Sequence, residues 1–217
     1  FKEMKVDTSG EFGGLGIDAP RGIAVADGDT YVVGYFEGEL DFGGAIGTRT
    51  APSDEPNRLR SDAYFVKLGP DGKIAWVHTW GAKRDDVAQA VAIHGDQVVV
   101  AGHFLDEMTI GEHTKKSAGS DDAFVAAFSK AGEVRWVWNF GGITSDGVNA
   151  IAAMPDGGWV VGGSFSASAA FGSAMFKSQG GTDAMLLRLA PTGEIEWAKQ
   201  FGGRYNDTIQ HLAVDAQ

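Results

Sequence analysis

Seven aspartates stand at two recurring places in this chain, and carboxylates at repeated spacing are the first residues that could do chemistry. Asp18, Asp86, Asp146 and Asp207 each follow a glycine-bearing turn. An aromatic (Phe12, Trp80, Phe140, Phe201) lies six residues before each, and an aliphatic (Ile23, Val91, Ile151, Leu212) five after. Asp62, Asp122 and Asp183 follow Ser61, Asp121 and Thr182, and each precedes Ala and an apolar run. Two kinds of chemistry fit. A ring of carboxylates at one mouth of a channel could bind cations. Alternatively, each carboxylate could accept hydrogen bonds from loop N–H groups and fix the link between repeats. A single active site seldom needs the same residue in every repeat, so recurrence favours the structural role.

Other residues carry individual chemistry. The five histidines, His78, His94, His103, His113 and His211, form no close ligand pair, and no metal site is expected from them. Asp27-Gly28-Asp29 and Asp71-Gly72 suit turns, and no twelve-residue calcium loop follows them. The glycine triplets lack the helix and Lys-Ser/Thr of a phosphate loop, and there is no Gly-x-Ser-x-Gly elbow. Tyr35, His103 and Ser164 occupy one repeat position beside Gly34, Gly102 and Gly163, so this varied position could set ligand selectivity. Trp76, Trp136 and Trp197 recur with the repeat and suit packing between units, although each could stack on a sugar. Trp138 has no match in every copy and is a candidate exposed contact. A stretch from Thr48 to Arg60 carries Arg49, Arg58 and Arg60 in an acidic chain. Either it is a tolerated surface loop, or its guanidinium groups grip a partner's carboxylates.

The whole chain has 217 residues, with 18 Lys and Arg against 29 Asp and Glu, a net charge of −11 that argues against nucleic acid. It is 43 % hydrophobic, enough to bury a core, yet no apolar run nears the ~20 residues of a membrane-spanning helix. There is no cysteine, hence no disulfide frame and no thiolate chemistry. The chain opens on Phe1, and we expect it to be processed, truncated or part of a longer product.

A repeat of about 60 residues positions all these groups. After the first Asp come Val-Val-Gly-Tyr-Phe, Val-Ala-Gly-His-Phe and Val-Gly-Gly-Ser-Phe, ending at Phe36, Phe104 and Phe165. Six residues on stand Phe42, Ile110 and Phe171. Then come the second Asp, a turn glycine (Gly72, Gly132, Gly193) and, four residues later, the tryptophan. The first repeat carries eight extra residues between Gly43 and Asp62, as a surface loop tolerates. Each repeat predicts four strands, the first near 22–25, 88–93, 149–153 and 210–214. The second covers 31–36, 98–104 and 159–165, and the third 63–68, 123–128 and 184–189. The fourth alternates, as in Ile74 and Trp76 against Ala75 and Val77, which marks a half-exposed outer strand. No segment has a helical period. The expected fold is all-β: a β-propeller of four-stranded antiparallel blades, forming an arc of a larger ring. Its divisions are 1–17, an outer strand (about 2–12) and link of a preceding blade; blades 18–85, 86–145 and 146–206; and 207–217, the first strand of a following blade.

Asp62–Leu68 reads Asp-Ala-Tyr-Phe-Val-Lys-Leu, and the following glycine turn, Trp, Gly, Asp and Val-x-Gly-x-Phe resemble the bacterial beta-propeller repeat often called SBBP. The resemblance spans essentially the whole chain. It implies a secreted, surface-attached or periplasmic bacterial protein without assigned activity. Pro191-Thr192-Gly193-Glu194-Ile195-Glu196-Trp197 also resembles the end of the tryptophan-docking motif of quinoprotein propellers. The upstream Ala and Asp of that motif are not in place, and no cofactor is expected.

The leading expectation is a non-catalytic binding or scaffolding module that meets a protein or glycan through its loops. A second is a propeller enzyme of lyase, glycosidase or quinoprotein type, with a channel-mouth site. A third is a structural subunit whose remaining blades come from further sequence or another chain.

Overall fold

The computed structural model describes residues 14, 16–43, 46–53, 55 and 58–215. Among these there is no helix; the chain is all-β and antiparallel. The outer strand expected at 2–12 lies outside the described residues.

Three meanders of four strands follow one another. The first pairs β1 (Asp18–Ala26) with β2 (Asp29–Glu37), with a two-strand ribbon of β3 (Glu39–Asp41) and β4 (Thr48–Thr50) interposed before β5 (Ser61–Leu68) and β6 (Ile74–Trp80). The second is β7 (Asp86–His94), β8 (Gln97–Phe104), the ribbon β9 (Glu107–Ile110) and β10 (His113–Lys116), β11 (Asp122–Ser129) and β12 (Val134–Gly142). The third is β13 (Gly147–Ala153), β14 (Trp159–Phe171), β15 (Ala174–Leu189) and β16 (Ile195–Phe201). Here the ribbon is continuous with the long β14 and β15, pairing Ser168–Phe171 with Ala174–Lys177, and Gly141 and Gly142 of β12 pair with its Ala170 and Ala169, so the second and third four-stranded sheets are hydrogen-bonded to each other at this one point. These ribbons, rooted at the Phe42, Ile110 and Phe171 landmarks, were absent from the sequence expectation. Their strands in the first two repeats are only three or four residues long.

Local chemistry explains the meanders. The first hairpin turns through Asp27 and Gly28, both at positive φ (54° and 86°), which gives the twist that a two-residue connection needs. Each inner strand bulges at one equivalent residue: Arg21 between Pro20 and Gly22, Gln89 between Ala88 and Ala90, Asn149 between Val148 and Ala150. A bulge leaves its residue outside the ladder and re-aims the side chain. The three repeats thus share register as well as motif.

The core lies between sheets. One cluster joins Tyr31, Val33, Phe65 and Trp80 of the first sheet to Val91, Val98, Val100, Phe124 and Phe128 of the second. Another joins Val99, Ala101, Val125 and Phe140 of the second to Ile151, Trp159, Val161, Phe165 and Leu187 of the third. The middle sheet is covered on both faces, so β8 and β11 are near-continuous apolar runs rather than alternating ones. A smaller cluster of Phe36, Leu40, Phe42, Tyr64 and Val66 lies on the other face of the first sheet, beside a cavity of about 310 Å³.

Residues 207–215, which include the strand expected at 210–214, form no paired strand with the described residues. They follow the inner edge of the third sheet through Ile209 N–H donating to the Gly163 carbonyl (3.2 Å). The Asn149 amide donates to Thr208 Oγ1 (2.9 Å) and the Ile209 carbonyl (3.0 Å). Asp207 N–H also donates to the Thr182 carbonyl (2.7 Å), but no second strand pairs with the segment among the described residues, and two main-chain bonds do not make a ladder.

Candidate functional site

The two aspartate series meet. Asp62 and Asp86, Asp122 and Asp146, and Asp183 and Asp207 are each 24 residues apart. Each pair is associated with one glycine at the end of an outer strand. Asp62 Oδ1 lies 2.3 Å and Asp86 Oδ2 2.9 Å from where a Cβ on Gly81 would stand; Asp122 Oδ1 and Asp146 Oδ2 lie 2.5 and 3.0 Å from that of Gly141. Asp183 crowds Gly202 in the same way. Any side chain there would strike buried carboxylates, which explains the recurring aromatic-glycine.

Six of the seven carboxylates accept loop N–H groups; Asp62 is the exception among the described residues. In the first series the donor is four residues back: Gly14 to Asp18 (2.8 Å), Ala82 to Asp86 (3.3 Å), Gly142 to Asp146 (2.7 Å), Gly203 to Asp207 (3.0 Å). In the second series Ala118 N–H donates to Asp122 and Gln179 N–H to Asp183. A side-chain amide then completes two pairs: Asn139 lies 3.5 Å from Asp122 and Gln200 2.7 Å from Asp183. The residue at the equivalent place in the first sheet is Thr79, opposite Tyr64 as Asn139 is opposite Phe124 and Gln200 opposite Met185. Burial pushes Asp62 up to about 7 and, with the Asp62 charge adding to it, Asp86 up to about 9. Burial likewise lifts Asp122 and Asp146 to about 6.

Tryptophans join the sheets. Trp76 of β6 donates its indole N–H to the Lys130 carbonyl (3.4 Å) in the turn before β12. Trp136 of β12 does the same to Pro191 (3.2 Å) in the turn before β16. A Cβ on Gly132 would lie 3.2 Å from the Trp76 ring, and one on Gly193 2.7 Å from both Trp136 and Trp138, so glycine is required for the ring to sit on the turn. Trp197 is the third member and is 41 % exposed. Trp138 is 42 % exposed, with Lys115 Nζ 5.7 Å from its ring centre.

Near the strand ends that carry the aspartate pairs lies a set of groups that do not repeat. Arg21, freed by its bulge, lies over the Tyr35 ring (5.1 Å) with its guanidinium 3.5 Å from the hydroxyl. His103 packs on the neighbouring inner strand, where a Cβ on Gly147 would lie 3.5 Å away. Burial pushes the His103 imidazole below its usual range, while Asp121 and Asp85 pull it up and Arg21 pushes it down. Asp121 accepts from Ser145 (3.0 Å) and Ser120 (3.3 Å), and Asp85 from the Ser61 N–H (3.1 Å). This face therefore offers one cation, a phenol, a neutral imidazole and two carboxylates, a set suited to polar ligands. Tyr35 and His103 were expected from their varied position. Arg21, Asp85 and Asp121 were not, although the bulge-prone Pro20-Arg21-Gly22 was a signal.

The arginine-rich loop is only partly available. Arg60 is 3 % exposed and held by Glu55 and by Asp85 (3.1 Å), so it anchors the loop instead of gripping a partner. Arg84 also reaches Glu55 (3.0 Å). Arg49 bonds the Ile46 carbonyl (2.7 Å), and Arg58, 57 % exposed, pairs with Glu55 (3.4 Å). Asp54, Pro56 and Asn57 lie outside the described residues.

Among the described residues no group of three or more His, Asp or Glu is arranged to hold a metal ion, and no helix is long and apolar enough to cross a membrane. No protein-family model matches the chain, and no curated protein matches it significantly.

Proposed function

We propose that the chain is an arc of a β-propeller serving as a non-catalytic scaffold, its two end faces covered by further sheets of the same repeat. One comparison of equivalent positions carries this reading. Val91 and Ile151 are 9 % and 8 % exposed, whereas Ile23 in the first sheet is 67 % exposed. Trp80 and Phe140 are 3 % and 6 % exposed, whereas Phe201 in the last sheet is 52 % exposed. A residue of the same apolar class at the same repeat position is covered wherever a neighbouring sheet stands among the described residues and bare where none does. Apolar surface so placed is a docking face, and the occupant that matches it is another copy of the unit that covers its equivalents.

On such a scaffold the ligand face is the one carrying Arg21, Tyr35 and His103, together with the loop at 49–60. A protein or glycan partner meets it, in an extracellular or envelope setting of the kind the repeat resemblance implies. The neutral His103 between Asp85, Asp121 and Arg21 favours a second reading, catalysis at that mouth. Replacing His103 by Gln distinguishes the two: binding survives under both, but turnover of a bound glycan is lost only under the second.

Hydroxyl-radical footprinting with native mass spectrometry tests the scaffold reading. Ile23, Trp197 and Phe201 are expected to be oxidised readily in the isolated 217-residue chain and shielded in any larger species. A lone chain in which all three are shielded overturns it.

A further inference from the structure

We propose that Asp62 and Asp86 form a calcium-class cation site at the joint between the first and second sheets. Asp86 is 0 % exposed and Asp62 6 % exposed. Their oxygens converge over Gly81, where the absence of a side chain leaves them facing one space. Asp62 accepts no hydrogen bond from any described residue, and Asp86 only the long one from Ala82. Oδ1 of each is buried with no partner, as is Oδ1 of Asp122 in the sister pair, so what sets the first pair apart is that no side-chain donor reaches either of its carboxylates. Neither carboxylate pairs with any Lys or Arg among the described residues; Arg60, on the same strand approach, is engaged with Glu55 and Asp85.

The sister pairs show what is missing. Asp183 receives Gln200 and Gln179, and Asp122 receives Asn139 and Ala118. Asp146 receives Gly142 and Ser166. Only the first pair has Thr79 where the others have an amide. Two buried carboxylates with unfilled lone pairs and no cationic neighbour must be neutralised by protons or by a bound cation, and we assign the cation. Hard oxygen donors select calcium or magnesium, and calcium tolerates the irregular geometry of a loop joint. The carboxylates supply up to four of its six to eight oxygens, and main-chain carbonyls and water supply the rest.

The test uses calcium titration and terbium luminescence, with Trp80 adjacent to Gly81 as the sensitiser. Wild-type protein is expected to sensitise terbium emission, displaced by excess calcium, and to lose thermal stability in a chelator. Thr79→Asn recreates the sister arrangement. It is expected to weaken calcium binding at least tenfold while leaving the fold intact in chelator. Asp62→Asn is expected to abolish emission. If wild type gives no emission and no chelator effect, the pair is held by a shared proton and the site is refuted. If emission persists unchanged in both variants, the ion sits elsewhere and the proposal is equally overturned.

Discussion

Adding one methyl group at each of three equivalent turn glycines isolates the contact that joins the sheets. Gly72, Gly132 and Gly193 all have left-handed backbone, at φ 78°, 92° and 86°. Alanine in that conformation costs roughly 1 kcal/mol wherever it stands. At Gly72 nothing lies within 4 Å of the new methyl, so the backbone term is the whole effect. At Gly132 the methyl meets His78 Nε2 at 3.0 Å and Trp76 at 3.2 Å, where small shifts suffice; the total should be about 2 kcal/mol. At Gly193 it meets Trp136 and Trp138 at 2.7 Å, so the rings must move. The bond from Trp136 to the Pro191 carbonyl, worth about 1 kcal/mol, is then lost in addition to the packing strain, for a total of about 3 kcal/mol. Urea unfolding of Gly72→Ala, Gly132→Ala and Gly193→Ala should therefore give costs rising in that order at equal slope. Equal costs at all three positions in the isolated chain would refute the claim that tryptophans on one sheet rest on the next sheet's turn.

Replacing Gln200 by Ala strips the amide from Asp183 and should cost roughly 1–2 kcal/mol, read by denaturant midpoint, whereas Thr79→Ala, which removes no such bond, should cost less. Asp122 and Asp146, lifted to about 6 by burial, keep protons that the unfolded chain releases near pH 4. Stability should therefore fall as pH rises from about 4 to 6, by roughly 2–3 kcal/mol per carboxylate, and Asp122→Asn should flatten that slope; an unchanged slope would contradict it. Arg60→Ala leaves Glu55 and Asp85 facing each other without their shared cation. It should loosen the 49–60 loop, detected as faster proteolysis there than in Arg58→Ala.

Much of the fold was legible because strand and turn signals recur in register. Gly72, Gly132 and Gly193 with their tryptophans placed the outer strands, and the Val-rich runs placed the second ones. The ribbons were not legible: three-residue strands such as Glu39–Asp41 carry too little pattern to stand apart from loop. The segment 210–214, expected as a strand and unpaired among the described residues, shows the limit of pattern alone. Leu212 matches Ile151 and Val91 in sequence, yet a strand needs a partner as well as the right residues. The constant 24-residue interval between the aspartate series was visible but does not by itself say that the two series meet, because pairing depends on how β5 and β7 are brought together in space. Arg60 misled for the opposite reason: arginine usually lies at the surface, and its burial depends on Glu55 and Asp85 arriving from two different loops.

Hydrogen exchange of the six indole N–H groups, resolved by NMR, reads the joints one at a time. Trp76 and Trp136, each bonded to a carbonyl of the neighbouring sheet, should exchange more slowly than Trp197, which is 41 % exposed at the bare end. Exchange at Trp76 and Trp136 as fast as at Trp197 would mean that the sheets are not joined this way.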